Sequence, residues 1–357
     1  MTRRARSHSA TAPQDGTGLV TIEMVAHAAG VSPSTVSRIL NGTAVVSAAK
    51  ARAVEAAIAA LGYVPSPVAR GLAGGRTLSL GVITQSLDSP FYGAALRGIE
   101  IELQRIGYSP LFISGQWNAA EEARCVGVLR ARRVDGIVML DARLDDAALV
   151  ELSESLPLVI TGRVLSGPRL ASLQFDNVGG AREATRYLIG LGHRRIAFIA
   201  GDPLHQDAID RQRGYLDALA EHGIAADPLL VAPGDYSERS GLDAIEVLQR
   251  RGAEFTAVFA GNDQMALGAM LGLYRKARRV PADVSVVGFD DLQAGHYAIP
   301  PLTSVHQPSL EIGELAVRLM SELLDGGKPA PRVLLPRLVV RESAAPPRPA
   351  AADDTSR

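Results

Sequence analysis

Residues 20–42 read VTIEMVAHAAGVSPSTVSRILNG, a short segment that contains the start and stop signals of two helices. Apolar residues recur at helical spacing from Thr21 to Ala29 and predict a first helix there. Gly30 tolerates the left-handed backbone of a tight turn. Ser32 is a good N-cap, and Pro33 suits the first position of the next helix because its missing N–H has no helical partner to lose.

A second and a third helix complete this N-terminal pattern. Val36, Ile39 and Leu40 give the second helix an apolar face, and its polar residues lie off that face. The third helix is predicted to start at Ser47 and to stop at Gly62. Two helices joined by a tight turn and packed on a third form a helix-turn-helix, whose second helix presents its N-terminal side chains to base edges in the major groove of DNA.

The charge distribution supports contact with nucleic acid at this end of the chain. The 357 residues have a net charge of −1, but residues 1–76 contain eight Lys and Arg against three Asp and Glu, or +5. The remaining residues carry −6. A basic end on a mildly acidic body indicates that only the end meets a polyanion.

Beyond residues 71–76 the pattern changes to short β-branched runs that alternate with helical stretches. The predicted strands are residues 78–84, 111–114, 136–140, 158–161, 196–200, 257–260 and 285–288. The intervening stretches have helical spacing, for example residues 92–106, 119–132, 180–191, 211–222, 264–275 and 310–324. This alternation predicts parallel sheets with helices on both faces, and there are too many units for one open sheet. We therefore expect two lobes, with a ligand cleft at the carboxyl ends of their strands.

The composition limits the class of protein. A 47% hydrophobic chain is globular rather than mainly disordered, and no apolar run is long enough to span a bilayer. The N-terminus has arginines but no apolar stretch, so no secretory signal is expected. Cys125 is the single cysteine, which excludes an internal disulfide or a cysteine zinc site and favours a packing role. We expect a cytoplasmic protein without a membrane segment.

Residues 20–42, together with residues 46–47, 51–54 and 61–65, resemble the headpiece of the lactose/galactose repressor (LacI/GalR) family, and the resemblance continues to about residue 343. It implies an all-α helix-turn-helix headpiece followed by an α/β, two-lobed effector domain like a periplasmic binding protein. The function implied is a transcriptional regulator, usually a repressor, that binds a palindromic operator as a homodimer and is controlled by a small-molecule effector, a sugar or sugar derivative.

The organisation expected on this basis has five segments. They are a disordered tail over 1–19, the helix-turn-helix domain over 20–65, a hinge helix or linker over 66–76, the effector-binding and dimerisation domain over 77–345, and a second disordered tail over 346–357.

The resemblance also implies which residues meet DNA. Pro33, Ser34 and Arg38 take the base-reading positions, and the Arg38 guanidinium can bond both N7 and O6 of guanine. Further DNA contacts are implied at Thr21, Ser32, Thr35, Ser37, Asn41, Ala69 and Leu72. Leu72 would be a wedge between central base pairs of the minor groove, inserted by paired hinge helices. The alternative for residues 66–76 is a flexible linker, which Gly71 favours by lowering helix propensity by roughly 1 kcal/mol.

In the body, residues 262–270 and 285–291 are similar to the family's sugar-binding core. The effector residues implied are Phe91, Tyr92, Phe175, His205, Arg211, Tyr236, Asn262, Asp290 and Gln307. A carboxylate, a guanidinium and an amide suit vicinal hydroxyls, which both donate and accept. Gly162, however, stands where many sugar-responsive relatives have an aspartate. An acidic or phosphorylated effector therefore remains an alternative, with His205 and Asp207 in the segment that tunes ligand choice.

Catalytic and metal motifs are absent from the sequence: it has no GxSxG elbow, no Walker A motif and no HExxH, and its seven histidines are scattered. We expect no enzymatic activity, no metal and no cofactor. The rival classes are a transporter's periplasmic sugar-binding protein and a two-lobed sugar-processing enzyme. Operator binding would weaken steeply with salt, with a log–log slope of about −0.9 per phosphate contact, whereas sugar binding would respond little.

Overall fold

The computed structural model describes residues 20–40, 46–63 and 75–348, and the chain divides into two compact units between Leu78 and Ser79. In those described ranges, no helix has the length and apolar character needed to cross a membrane. Three predicted DNA contacts, Asn41, Ala69 and Leu72, lie outside the described residues.

The N-terminal unit contains the predicted helix-turn-helix. Its helices are α1 (Ile22–Ala29), α2 (Pro33–Leu40) and α3 (Ala48–Leu61). Gly30 ends α1 at φ 64°, the left-handed conformation that the sequence required. Six buried side chains, drawn mainly from the three helices, form the core: Val25, Ala26, Val36, Val54, Ala57 and Tyr63. The predicted fold of this unit is confirmed.

The second unit contains twelve strands within the described residues. In chain order they are β1 (Ser79–Thr84), β2 (Ser109–Ser114), β3 (Gly136–Met139), β4 (Leu158–Thr161), β5 (Leu170–Phe175), β6 (Ile196–Ile199), β7 (Val231–Ala232), β8 (Ala257–Ala260), β9 (Ser285–Asp290), β10 (Thr303–His306), β11 (Arg332–Leu334) and β12 (Arg337–Val339). They form two six-stranded sheets, ordered β11-β5-β4-β3-β1-β2 and β12-β10-β9-β8-β6-β7. Two lobes were predicted, and two are present.

Helices flank both sheets. They are α4 (Pro90–Arg105), α5 (Ala119–Ala131), α6 (Asp146–Ser155), α7 (Asn177–Gly190), α8 (Gln206–Glu221), α9 (Glu238–Arg250), α10 (Asp263–Arg275), α11 (Gln293–His296) and α12 (Ser309–Leu324). The chain passes between the lobes three times: after β5, between β10 and α12, and between β11 and β12. Functional side chains near these crossings therefore stand where the lobes meet.

Several details differ from the sequence predictions. The first sheet is parallel throughout, but β12 runs antiparallel to β10 in the second. Leu78 has φ 54°, so β1 begins one residue later than predicted. The predicted strands did not include β5, β7, β10, β11 or β12. Strands of two or three residues such as β7, β11 and β12 are too short to show a period, and β5 (LASLQF) contains no β-branched residue.

Helices α9 and α10 pack closely against each other at two glycines, Gly241 and Gly268. A Cβ at Gly268 would overlap the carbonyl oxygen of Glu238, and a Cβ at Gly241 would overlap that of Met265. The helices of the first lobe repeat the arrangement, because a Cβ at Gly98 in α4 would overlap the Leu310 carbonyl oxygen in α12. Glycine is thus required here for close backbone approach.

We predict that Gly268→Ala destabilises the protein, although alanine is the better helix former. Overpacking against a backbone carbonyl costs about 1–3 kcal/mol and outweighs the gain in propensity. Gly127→Ala in α5 is the matched control, since nothing lies within 4 Å of its Cβ position and a gain of about 1 kcal/mol is expected. Urea unfolding of both variants measures the difference. A Gly268→Ala protein as stable as the wild type would contradict the packing argument.

Candidate functional site

The exposed face of α2 carries most of the side chains predicted to read DNA. Pro33, Ser34 and Arg38 are exposed, and Thr35 and Ser37 are half-buried beside them. The opposite face is anchored by Val36, which is fully buried. One helix therefore presents hydroxyls and a guanidinium on a single surface.

Hydroxyl contacts fix the start of this helix. The Ser32 Oγ accepts a hydrogen bond from the backbone N–H of Thr35 at 3.3 Å, which is the predicted N-cap. The same oxygen lies 2.9 Å from Ser34 Oγ and 2.8 Å from Thr35 Oγ1. Thr21 caps α1 in the same way, accepting from the N–H of Met24 at 3.4 Å. Ser32 and Thr35 thus orient the helix that displays Ser34 and Arg38.

The body contains a cavity of about 970 Å³ lined by both lobes. Seven of the nine predicted effector residues line it: Phe91, Tyr92, His205, Arg211, Tyr236, Asn262 and Asp290. The other two, Phe175 and Gln307, line a narrow adjoining recess that shares Tyr92 with the cavity. The structure therefore brings all nine predicted residues to one region.

Arg211 lies at the centre of this region. It stands in the second turn of α8, which begins at Gln206 rather than at Arg211 as predicted. Its guanidinium donates from Nε to Asn177 Oδ1 at 2.8 Å, from Nη1 to the Gly261 carbonyl at 2.6 Å, and from Nη2 to Gln307 Oε1 at 3.1 Å. The Arg211 side chain is 4% exposed, so these neutral acceptors replace water around its charge.

Asp290 faces this guanidinium at the end of β9. Its Oδ1 lies 3.5 Å from Arg211 Nη1 but accepts no hydrogen bond from any residue that the structure describes. Its backbone has φ 103°, a strained conformation for a residue with a side chain. Burial, opposed by the charge of Arg211, raises the pKa of Asp290 to about 7. The carboxylate therefore has an unused acceptor directed into a buried site.

Asp141 is an acidic residue of the cavity that the sequence reading missed. It follows β3, at the carboxyl end of the sheet where ligands bind. Tyr92 donates its hydroxyl to Asp141 Oδ2 at 2.8 Å, and Thr161 donates to Oδ1 at 3.1 Å. A Cβ at Gly162 would lie only 2.7 Å from Asp141 Oδ1. The carboxylate absent from position 162 is thus replaced by one from the neighbouring strand.

Asp207 adds a third carboxyl group beside Arg211. Its Oδ1 accepts from Asn177 Nδ2 at 3.0 Å, and its Oδ2 lies 3.7 Å from Arg211 Nη2. Burial and the neighbouring charge of Asp141 raise the pKa of Asp207. Its side chain is 23% exposed, so Asp290, at 5%, is the more deeply buried of the two. Asp207 and Asp290 thus share one guanidinium, and the charge of Asp141 acts on both of them.

Aromatic rings from both lobes form a row along the cavity wall. Trp117 and His205 stack with ring centroids 3.8 Å apart, and His205 is parallel to Tyr236 at 5.7 Å. Tyr92 is tilted against Trp117 at 6.0 Å. The sequence reading missed Trp117. Two sequence features could have identified it: Trp117 is the only tryptophan of the chain, and it directly precedes Asn118, the N-cap of α5.

Asn262 lines the cavity and also makes two structural hydrogen bonds. Its Oδ1 accepts from the N–H of Met265 at 2.9 Å and so caps α10, and its Nδ2 donates to the Tyr236 carbonyl at 3.0 Å. Tyr236 in turn has φ 71° and a buried hydroxyl without a hydrogen-bond partner among the described residues. Asn262 therefore positions Tyr236 at the cavity.

Metal ligands are not clustered anywhere in the described part of the chain: no group of three or more His, Cys, Asp or Glu residues there could hold a metal ion. Cys125 is fully buried in α5, as a packing residue.

Two protein-family models match the chain. The model of bacterial regulatory proteins of the lacI family matches residues 21–66, and that of the periplasmic binding protein-like domain matches residues 185–344. The regulator CelR of Thermobifida fusca is 39% identical over 90% of this chain and 98% of its own length. The regulator GalR of Escherichia coli K12 is 37% identical over 92% of this chain and 97% of its own length.

Solved structures agree with these matches. A complex of the regulator CelR with cellobiose is 38% identical, with a TM-score of 0.69 over 91% of this chain and 100% of that one. The lac repressor dimer bound to operator and an anti-inducer is 32% identical, with a TM-score of 0.84 over 92% of this chain and 99% of that one.

We predict that Asp290→Asn stabilises the ligand-free protein more at pH 8 than at pH 5. The folded state holds the Asp290 proton between pH 3.8 and about 7, where the unfolded chain has released it. The wild type therefore loses stability as the pH rises through this range, and asparagine does not. We expect the variant's melting temperature to exceed that of the wild type by more at pH 8 than at pH 5, by about 2–4 °C for each kcal/mol.

Asp283→Asn is the control for that measurement. Hydrogen bonds from Arg279 lower the pKa of Asp283, so its contribution is already complete at pH 5. We expect this variant to lower the melting temperature equally at both pH values. An Asp290→Asn gain that is the same at pH 5 and pH 8 would contradict the argument from burial.

Proposed function

The chain belongs to the LacI family of bacterial transcriptional regulators, and we propose that it represses transcription by binding a palindromic operator under the control of a saccharide. The observation that carries this proposal is the combination on one chain of two sites. The helix-turn-helix displays Ser34 and Arg38, and the body encloses the buried Arg211–Asp290 pair. Neither site alone specifies a regulated DNA-binding protein, whereas the two together do.

Operator binding is proposed for a homodimer. Two headpieces related by a two-fold axis read two half-sites, so the operator has the symmetry of the protein. The related lac repressor structure is a dimer on operator DNA. Thr21, Ser32, Thr35, Ser37 and Asn41 add phosphate and positioning contacts in this scheme. Ala69 and Leu72, in a hinge over residues 66–76, enter the minor groove.

The proposed effector is an uncharged saccharide. The cavity is lined by eight aspartates and only three arginines, so negative charge exceeds positive charge even where Asp207 and Asp290 hold protons: Asp88, Asp141, Asp146, Asp202, Asp207, Asp210, Asp235 and Asp290 against Arg143, Arg163 and Arg211. This excess of negative charge repels a phosphorylated or acidic ligand. It suits hydroxyl groups, which donate to carboxylate oxygens. The volume of about 970 Å³ admits a disaccharide, and the related CelR structure holds cellobiose.

Control of the operator follows from the two-lobed body. A ligand that contacts both lobes favours one relative arrangement of them, and it shifts the protein toward that arrangement by its differential affinity. Coupling is reciprocal, so the saccharide must bind free and operator-bound protein with different affinities. We propose a regulator without enzymatic activity that acts in the cytoplasm, where its operator is accessible.

We predict that Arg38→Ala relaxes base preference at one position in each half-site. A bidentate arginine–guanine pair contributes about 1–3 kcal/mol of discrimination. Selection from a random double-stranded DNA pool, run on wild type and variant, measures the change. Arg52→Ala, which removes an exposed charge from α3, is the control and should leave the selected sequence unchanged. An unaltered consensus with Arg38→Ala would contradict the assigned role.

We predict that Asp290→Asn abolishes the response to saccharide while operator affinity persists. The substitution removes one of the carboxylates that accept ligand hydroxyls, and the pH argument above predicts that the variant stays folded. Operator binding is measured with glucose, galactose, cellobiose, lactose and glucose 6-phosphate. A variant that responds normally would place the effector elsewhere. A response confined to glucose 6-phosphate would contradict the uncharged effector.

A further inference from the structure

Two contacts join the lobes at the exposed end of the cavity. The Trp117 ring, from the loop between β2 and α5, stacks on His205, from the loop before α8, with centroids 3.8 Å apart and planes at 20°. Arg143, which follows β3, donates from Nη1 to the Leu204 carbonyl at 2.5 Å. We call the stack and this hydrogen bond together the clasp. All four residues line the cavity, and Leu204 is 70% exposed.

The first-lobe half of the clasp is held by a buried polar pair, Gln85 and Glu122. Gln85 is 2% exposed and accepts from the N–H of Trp117 at 3.0 Å through its Oε1. Its Nε2 donates to Glu122 Oε1 at 2.7 Å. Glu122 is fully buried and accepts the backbone N–H of Arg143 at 2.8 Å. One pair therefore positions both Trp117 and Arg143.

The backbone at Trp117 is strained, which indicates that its position is imposed. Gln116 and Trp117 have φ values of 52° and 56°, in the left-handed region that non-glycine residues rarely adopt. Such a conformation persists only where surrounding contacts enforce it. The contacts here include the Gln85 hydrogen bond, the His205 stack and the tilted contact with Tyr92.

The second-lobe half of the clasp is continuous with the polar site. His205 is the N-cap residue of α8, the helix that also carries Asp207 and Arg211, and its ring makes no capping hydrogen bond. It is 9% exposed, and burial lowers the pKa of His205, so the ring is neutral at neutral pH. A neutral ring stacks on indole without losing the hydration of a charge.

We propose that the clasp is a specificity-determining gate, in which Trp117 and His205 close the cavity over a ligand held at Arg211 and Asp290 and limit its length. This inference rests on the saccharide effector proposed above. A sugar ring needs about 7 Å between two flanking faces, twice a carbon–carbon contact of about 3.5 Å. The 3.8 Å stack leaves no such space. A ligand therefore enters and leaves only when the lobes part, and a longer saccharide holds the stack open.

The stack is tested first without any ligand, because Trp117 is the only tryptophan and its fluorescence reports its environment directly. Acrylamide quenching is compared in wild type, His205→Ala and His205→Phe. We expect His205→Ala to raise the quenching constant about twofold or more, and His205→Phe to leave it near the wild-type value. His222→Ala, beyond the far end of α8, is the matched control. Equal quenching in wild type and His205→Ala would overturn the clasp.

The gate is tested with glucose, cellobiose, cellotriose and cellotetraose by stopped-flow binding to wild type, Trp117→Phe and Trp117→Ala. A lost aromatic stack reduces affinity about 2- to 10-fold. We expect Trp117→Ala to bind cellobiose more weakly by that factor, with faster dissociation, and to bind longer saccharides better relative to cellobiose. Trp117→Phe should restore the wild-type pattern. Unchanged dissociation rates and length preference in Trp117→Ala would overturn the proposal.

Failure of the effector assignment gives a different result. If wild-type protein binds none of the uncharged saccharides named in these experiments, or binds glucose 6-phosphate instead, the proposed uncharged saccharide effector is wrong. The clasp is then judged by the quenching measurement alone, which needs no ligand.

Discussion

The buried guanidinium of Arg211 is the constraint around which the body is organised. A charge with 4% exposure requires acceptors in place of water, and each acceptor comes from a different part of the chain. Asn177 follows the first crossing between the lobes, Gly261 follows β8, and Gln307 stands at the second crossing. The hydrogen bonds that stabilise the Arg211 guanidinium therefore also hold the segments that join the lobes in position.

The same cation makes an under-satisfied acidic site possible. Burial, together with the charge of Asp141, raises the pKa values of Asp207 and Asp290, and the charge of Arg211 opposes this effect. The ligand-free site is less stable than it would be if its carboxyl oxygens accepted more hydrogen bonds. A ligand whose hydroxyls donate to these oxygens therefore gains binding free energy there. Helix α8 extends this site to the clasp, since His205 and Arg211 lie on either side of its first turn.

The sequence alone was sufficient to predict features that depend on residues close together in the chain. Gly30 and Ser32 predicted the turn and cap of the headpiece because each acts on its own backbone, and both act there as expected. It was insufficient where the signal depended on contacts between distant segments. The sequence did not show, for example, that the Asn262 side chain bonds the backbone of Met265 and Tyr236. No pattern along the chain shows that Trp117 meets His205.

Gly162 shows why a single position misleads about ligand chemistry. Read alone, the glycine removes an acidic acceptor and argues against a sugar. In the fold, β3 and β4 are adjacent parallel strands, so residues that follow them share one edge of the sheet. The absent side chain opens the space that the Asp141 carboxylate occupies, and Thr161 and Tyr92 hold that carboxylate in place. Asp141 thus places a carboxyl group beside position 162, and this group contributes to the negative charge of the cavity.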